Sequence, residues 1–425
     1  MEENLYCFIL GRNPTLAVAE ITKVLNGKIA ELIWVSQRVM AITLKEKLDQ
    51  PKKLIEKIYG TTKIVEILAE IKNKNFKQAL SLLLGNADFR RKLCGEKTRK
   101  FLFGLSIYNL NAEEKFFKSL VRQSTRLANT IKKSLSEDGL RNGFVKTEKG
   151  EVSSGSIKKN KLLEFGADFV LITGKNETFV GKTIAIQEFE EYEKRNYQRP
   201  ARNLKSGIMP IKLARIMINL AQAKENEPVL DPFCGDATIL QELVLLGFKQ
   251  IIGFDKNEKA VKAAKENLVW LFGQYPNLEK EKIRLQVLAQ DATSISTVLS
   301  PASISAIISE PYLGPRLEKP PSPEEIRMIF RELAELYLKF FQQAFLVLKP
   351  NGKIVIIFPC FQLNKNLVFL EILEQIKKSG FVLESAFPLE FQPFPAVKIT
   401  ARNSILYEKE NQILIREILI FRKAV

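Results

Sequence analysis

Residues 228–246 constrain the fold of this 425-residue chain more than any other stretch. Pro228, Val229 and Leu230 read as a short buried strand. It ends in Asp231-Pro232-Phe233-Cys234-Gly235-Asp236-Ala237-Thr238, and an apolar helix from Ile239 to Leu246 follows at once. A strand feeding a turn of small residues and then a helix N-terminus is the corner where a doubly wound sheet binds nucleotides or their analogues. Gly235 and Ala237 let a ligand approach the backbone closely, and Asp231 suits a cationic amino-acid moiety.

The next units repeat this logic. Gln250 to Phe254 reads as a strand with Asp255-Lys256 at its carboxyl end, followed by a helix from Asn257 to Trp270. An acid about twenty residues beyond the glycine turn is placed to hold ribose hydroxyls. A third strand, Ile283 to Leu288, leads to Gln290-Asp291-Ala292, where a side chain can face an adenine amino group. Taken alone, Asp255 is as readily a helix N-cap as a ribose ligand. Acids at three consecutive strand ends point to a ligand.

The fourth strand, Ser303 to Ile308, runs into Ser309-Glu310-Pro311-Tyr312-Leu313-Gly314-Pro315. Two prolines and a glycine around a tyrosine predict a rigid, exposed loop. Such a tyrosine can stack on a base flipped out of its helix, with neighbouring oxygens accepting its amino hydrogens. The plainer reading is a stiff turn whose tyrosine only packs. A long helix (Glu324 to Leu348), a turn at Lys349-Pro350-Asn351-Gly352, a fifth strand (Lys353 to Phe358) and a helix from Leu367 to Ser379 follow. Paired strands, Phe381 to Leu389 and Gln412 to Phe421, suit an antiparallel edge. The turn lacks the G-x-G-x-x-G spacing of a dehydrogenase.

Upstream of this half, the expected organisation is an α+β domain over residues 1–75, a basic domain over 76–188 and a polar linker over 189–206, with the catalytic domain at 207–425. The first domain is read from strands at Tyr6 to Leu10 and Ile33 to Leu44, alternating with helices at Leu16 to Leu25 and Pro51 to Tyr59. In the second, strands are expected at Lys100 to Ile107, Phe144 to Lys146, Ala167 to Thr173 and Thr178 to Gln187. Its character is electrostatic. The chain carries a net charge of +17, and residues 71–160 hold 20 lysines and arginines against 8 acids, a surplus of 12. A helix bearing Lys115, Lys118, Arg122, Arg126, Lys132 and Lys133 is either a solvated face or a face that contacts phosphates.

Composition also excludes chemistries. With 0 histidines there is no serine–histidine triad, histidine base or histidine metal site. The 4 cysteines, Cys7, Cys94, Cys234 and Cys360, form no C-x-x-C pair, so no metal site is expected and a reduced, cytoplasmic setting fits. Glu2 and Glu3 stand where a secretory leader would be positive, and no apolar run reaches membrane-spanning length.

Together these motifs resemble the class I methyltransferases, specifically the branch that methylates amino groups. Asp231-Pro232-Phe233-Cys234-Gly235 followed by Thr238 resembles that family's first cofactor motif, with Asp236-Ala237 where Ser-Gly is more usual. Asp255-Lys256 and Asp291-Ala292 fall where the family binds ribose and adenine. The resemblance narrows to the THUMP-containing tRNA guanine-N2 methyltransferases that modify position 10. It rests on Ile9-Leu10-Gly11-Arg12-Asn13-Pro14, on Arg199-Pro200-Ala201-Arg202 with Gly207 and Pro210, and on Arg402, Leu406-Tyr407 and Arg416-Glu417. It implies a seven-stranded doubly wound α/β sheet preceded by a THUMP-like domain, S-adenosylmethionine as cofactor, and tRNA or another structured RNA as partner. It leaves room for a small activating protein and implies neither a metal nor a membrane.

One departure bears on catalysis. The family's loop reads Asp-Pro-Pro-Tyr, where this chain has Ser309-Glu310-Pro311-Tyr312. Aligning the Pro-Tyr pairs puts Ser309 on the catalytic position, and a one-residue slip puts Glu310 there. Only Glu310 retains a carboxylate to accept hydrogen bonds from an exocyclic amine, so it is the assigned residue, with Ser309, Pro311 and Tyr312 around it. Two rival readings stand beside this one: a DNA adenine or cytosine amino-methyltransferase, and a non-catalytic RNA-binding protein with a degenerate loop.

Overall fold

The structure, a computed structural model, describes residues 4–424 except 96–100, 138, 148–149, 202–208, 365, 388–393 and 409–411. Arg202 and Gly207 lie outside the described residues, as do Lys100 and Leu389 at the ends of two expected strands. The chain forms two compact units, Met1–Phe189 with Phe391–Val397, and Glu190–Glu390 with Lys398–Val425.

In the first unit the strands are β1 (Leu5–Leu10), β2 (Ile29–Val35), β3 (Val39–Leu44), β4 (Thr61–Lys72), β5 (Phe101–Asn109), β6 (Asn142–Phe144), β7 (Gly166–Thr173) and β8 (Glu177–Ile186). They form one sheet in the order β2-β3-β1-β4-β8-β7-β5-β6. β4, which sequence patterning did not resolve, pairs antiparallel with β1 on one side and with β8 on the other. The sheet therefore runs unbroken across position 75, where a boundary was expected. The single strand expected over Ile33 to Leu44 is a hairpin of β2 and β3. Ser36 turns it, its Oγ accepting from the Arg38 and Val39 amides at 3.3 and 3.0 Å. The expected basic helix is likewise two helices, Glu114–Arg122 and Ser124–Glu137, and all six of its cations are exposed.

In the second unit the strands are β9 (Pro228–Asp231), β10 (Gln250–Asp255), β11 (Arg284–Ala289), β12 (Ile304–Ser309), β13 (Leu348–Leu363), β14 (Asn366–Phe369), β15 (Phe381–Glu384), β16 (Ile405–Tyr407) and β17 (Leu414–Lys423). The main path, β11-β10-β9-β12-β13-β17-β15, has the seven strands expected, with β14 and β16 added at its side. β9 to β13 are parallel, and β17 is antiparallel to both β13 and β15. Chain order reverses between β9 and β12, and ligands of an open α/β sheet bind outside the carboxyl strand ends at such a switch.

Local sequence explains the main elements. The helix Pro323–Val347 starts in a capping box, Ser322 bonding the Glu325 amide and Glu325 the Ser322 amide, with proline at its first position. Its apolar stripe, Ile326, Ile329, Leu333, Tyr337, Phe340 and Phe341, is buried in the core. The turn expected at 349–352 is a bulge within β13, because pairing with β12 jumps from Ile304↔Leu348 to Ala306↔Lys353 around Asn351 at φ 62°. The helix expected from Leu367 to Ser379 begins only at Leu373. Asn366–Phe369 instead folds back on β13 as β14, after a left-handed Asn364 at φ 48°. The stretch read as a linker contains the helix Phe189–Tyr197, with Arg195 buried in it.

Candidate active site

Asp231, Asp255 and Glu310 stand at or just beyond the carboxyl ends of β9, β10 and β12. Asp231 is buried. Its Oδ1 accepts from the Phe233 amide at 3.2 Å and from the Ser309 hydroxyl at 2.6 Å. Both partners are neutral. Burial pushes its carboxyl up from 3.8 to about 7, with Asp255 and Glu310 adding to the rise and the Ser309 and Phe233 hydrogen bonds opposing it. A buried carboxylate without a cation is costly to ionise, so the site favours a ligand that brings positive charge.

The turn after β9 is shaped to leave room. Gly235 sits at φ 52° and Ala237 at φ 69°, and a Cβ at Gly235 would meet nothing within 4 Å. The Gly235 amide donates to Asp255 Oδ2 at 3.1 Å, and the Asn257 amide donates to Asp255 Oδ1 at 2.9 Å. Asn257, not Asp255, caps the following helix, accepting from the Lys259 amide. Asp255 thus ties the turn to the second strand and is half-buried there.

Asp291 is exposed and caps a short 3-10 turn, its Oδ1 accepting from the Thr293 amide and hydroxyl at 2.8 and 2.7 Å. These bonds, and the Lys256 ammonium less strongly, hold its carboxyl below the usual range. Lys256 is exposed, and Ala292 is buried in the core behind it. Pro232 and Cys234 are buried in the turn, Phe233 packs edge-on to Phe340, and burial pushes the Cys234 thiol far up.

Sequence reasoning assigns the catalytic position to Glu310, with Ser309 as the other alignment. The structure brings the two to different places. Ser309 is the last residue of β12, fully buried, and spends its hydroxyl on Asp231. Glu310 is partly open, its side chain 15% exposed, and its Oε1 lies 2.5 Å from Arg416 Nε. Pro311 is buried and Tyr312 is 49% exposed. The Tyr312 carbonyl accepts from the buried Tyr337 hydroxyl at 2.8 Å, which pins the loop to the long helix. Gly314 has φ 104° and a Cβ there would lie 2.9 Å from Ile329, so the loop's approach to that helix needs glycine.

Sequence reasoning missed an inner brace. Arg199, just before the catalytic sheet, donates to Thr238 Oγ1 at 2.6 Å and pairs with Asp236 at 3.0 Å. Asn267 bonds the Asp236 carbonyl and both backbone groups of Ala201. Arg195 and Arg215 meet the buried Glu242 at 2.7 and 2.9 Å. The Arg199-Pro200-Ala201 run was the available signal. A separate surface pocket of about 750 Å³, lined by Pro200, Val261, Val269 and Trp270 among others, contains none of the strand-end acids.

A family model described as DNA methylase, of the N6/N4 class, matches residues 27–266, more than half of the chain. The chain belongs to the N6/N4 methylase family. A second model, described as methyltransferase domain, matches residues 223–402 of this methylase. S-adenosylmethionine is the methyl donor of that domain. The methylase is 31% identical over 188 residues to tRNA (guanine(10)-N2)-dimethyltransferase of Methanocaldococcus jannaschii, covering 44% of this chain and 47% of that one. It is 28% identical over 162 residues to the enzyme of the same name from Methanothermobacter thermautotrophicus, covering 38% and 43%. The methylase thus aligns with under half the length of these curated relatives. The solved structure of TrmN from Thermus thermophilus shares its fold, with TM-score 0.53, 14% identity and coverage of 99% of this chain and 100% of that one.

Proposed function

We propose that this methylase transfers a methyl group from S-adenosylmethionine to the exocyclic N2 of guanine in tRNA. The observation that carries the reading is Glu310, a partly open carboxylate at the carboxyl end of β12, next to a loop that exposes Tyr312. The two curated relatives named for guanine-N2 methylation of tRNA support the base and the nucleic acid. The first unit, with its exposed cations on Glu114–Arg122 and Ser124–Glu137, is the THUMP-like RNA-binding part in this reading.

Asp231 fits the donor's ammonium, because it is a buried carboxylate with no cation beside it among the described residues. The open side of Gly235 admits the donor's backbone-like chain, Asp255 accepts from ribose hydroxyls, and Asp291-Ala292 borders the adenine. When bound, the donor supplies an electrophilic methyl on a sulfonium centre. Tyr312 stacks on the extruded guanine. Glu310 accepts a hydrogen bond from the amine and aims its lone pair at the methyl carbon. With the donor bound, the amine nitrogen would take the methyl as its bond to sulfur breaks, and Glu310 would pass the surplus proton on nitrogen to water. Positioning and fixed charge do most of this work.

The test is transfer of labelled methyl to unmodified tRNA followed by nucleoside mass spectrometry. Label in N2-methylguanosine is the expected result. Label in adenine or cytosine of duplex DNA, the second reading that the family description favours, overturns it. Cofactor binding without transfer to either nucleic acid would support the non-catalytic reading instead.

A further inference from the structure

Glu310 is the least conventional part of this site, and its surroundings say what makes it usable. Arg416 lies on β17, opposite Pro359 of β13, and β13 separates β17 from β12. Its side chain therefore reaches across one strand to meet Glu310, and it is itself only 8% exposed. Among the described residues Arg416 is the one hydrogen-bond partner of the Glu310 side chain, and it engages Oε1 alone. Oε2 is left for another donor. The guanidinium is fixed from behind by Nη1, which donates to Gln412 Oε1 at 3.2 Å.

The electrostatics require such a partner. Glu310 acts as a negative neighbour on Asp231 of β9 and on the Tyr337 hydroxyl of the long helix. Among the described residues no other cation pairs with it. Two carboxylates facing one site repel unless a fixed positive charge lies beside one of them. Arginine does this with directional geometry that a lysine lacks.

We infer that Arg416 is a positioning residue for methyl transfer: it holds Glu310 by one oxygen so that the other faces the substrate's exocyclic amine. The inference rests on Glu310 as the amine's acceptor. In this arrangement a loop without the usual aspartate regains a correctly aimed carboxylate through a residue 106 positions away in sequence.

A double-mutant cycle with labelled methyl transfer to unmodified tRNA tests it. Arg416→Gln is expected to lower kcat by about 10- to 100-fold, less than the roughly 100- to 10,000-fold that a positioned acid–base group itself supplies, while KM for tRNA and calorimetric affinity for S-adenosylmethionine stay within twofold. Arg416→Lys should recover part of kcat. In a Glu310→Gln background Arg416→Gln should cost nothing further, because the two residues act as one unit. Losses that add across the two sites, or an unchanged kcat in Arg416→Gln, overturn the inference. Full activity in Glu310→Gln alone overturns the assignment of Glu310 instead. Should Arg416→Gln not fold, the same cycle run with Arg416→Lys decides by the same criterion: its loss vanishes beside Glu310→Gln or adds to it.

Discussion

Asp168 and Asp231 are both buried aspartates in the interior of a sheet unit, and they are treated in opposite ways. In the first unit Asp168 is fully buried and matched on every side. Lys63 Nζ lies 2.9 Å away, and the Ser106 and Thr183 hydroxyls each donate at 2.7 Å. In the second unit Asp231 has, among the described residues, a hydroxyl and an amide but no cation. The first arrangement is closed, its charge neutralised within the fold. The second is left incomplete, and a ligand completes it. A buried charge with its counter-ion present speaks of architecture, and one lacking it speaks of a binding site.

The sharpest way to break this contrast is to open the closed pair. Lys63→Met should destabilise the protein by about 3–5 kcal/mol, since it strands a buried carboxylate, as read from the denaturant midpoint. A loss below about 1 kcal/mol would mean that the hydroxyls alone suffice for Asp168.

The open aspartate should respond to pH. Its carboxyl is raised in the fold from 3.8 to about 7, so the ligand-free protein is most stable where Asp231 is protonated. Stability should fall as pH rises through that window, by up to about 1.4 kcal/mol per unit, and level off above it. Affinity for S-adenosylmethionine should move the other way, rising up to about tenfold per unit until Asp231 is ionised, then levelling. Asp231→Asn should flatten both curves in calorimetry and thermal unfolding. If both wild-type curves rise together, Asp231 does not receive the donor's ammonium.

Smaller effects bear on the two units separately. Reversing Lys132 and Lys133 to glutamate should lower tRNA affinity and reduce the slope of log affinity against log salt by about 2 or more. An unchanged slope would place the RNA on another face. Tyr337→Phe removes the hydroxyl that pins the Tyr312 carbonyl, with an expected cost of about 1 kcal/mol in stability and a several-fold fall in kcat. If kcat is untouched, the loop is held by Pro311 and Gly314 without it.

The catalytic unit was largely legible because its ligand-binding corner is contiguous: strand, turn and helix N-terminus occupy residues 228–245. β4 was not legible, since its apolar residues satisfy two periods at once. Ile64, Ile67, Leu68 and Ile71 repeat as on a helix, while Val65, Ile67, Ala69 and Ile71 alternate as on a strand. Pairing with β1 and β8, both remote in sequence, decides between them. Leu367 to Phe369 carried the same ambiguity, resolved by pairing with β13. At the site, the position of Asp231 could be read from its strand end, but its lack of a cation could not. Nor could the Arg416–Glu310 pair, which joins two strands with a third between them. Asp291 followed the plainer cap chemistry that also suits an acid before a helical turn.

The Arg199 brace has a practical consequence for anyone who would excise the catalytic half. A cut at 206, where composition alone suggests a border, discards the arginine that grips Asp236 and Thr238 and the backbone that satisfies Asn267. The fragment would keep every motif and lose the strut behind its first turn. A cut at 189 keeps Arg195 and Arg199 in place. In this chain the portable piece begins before the pattern that identifies it.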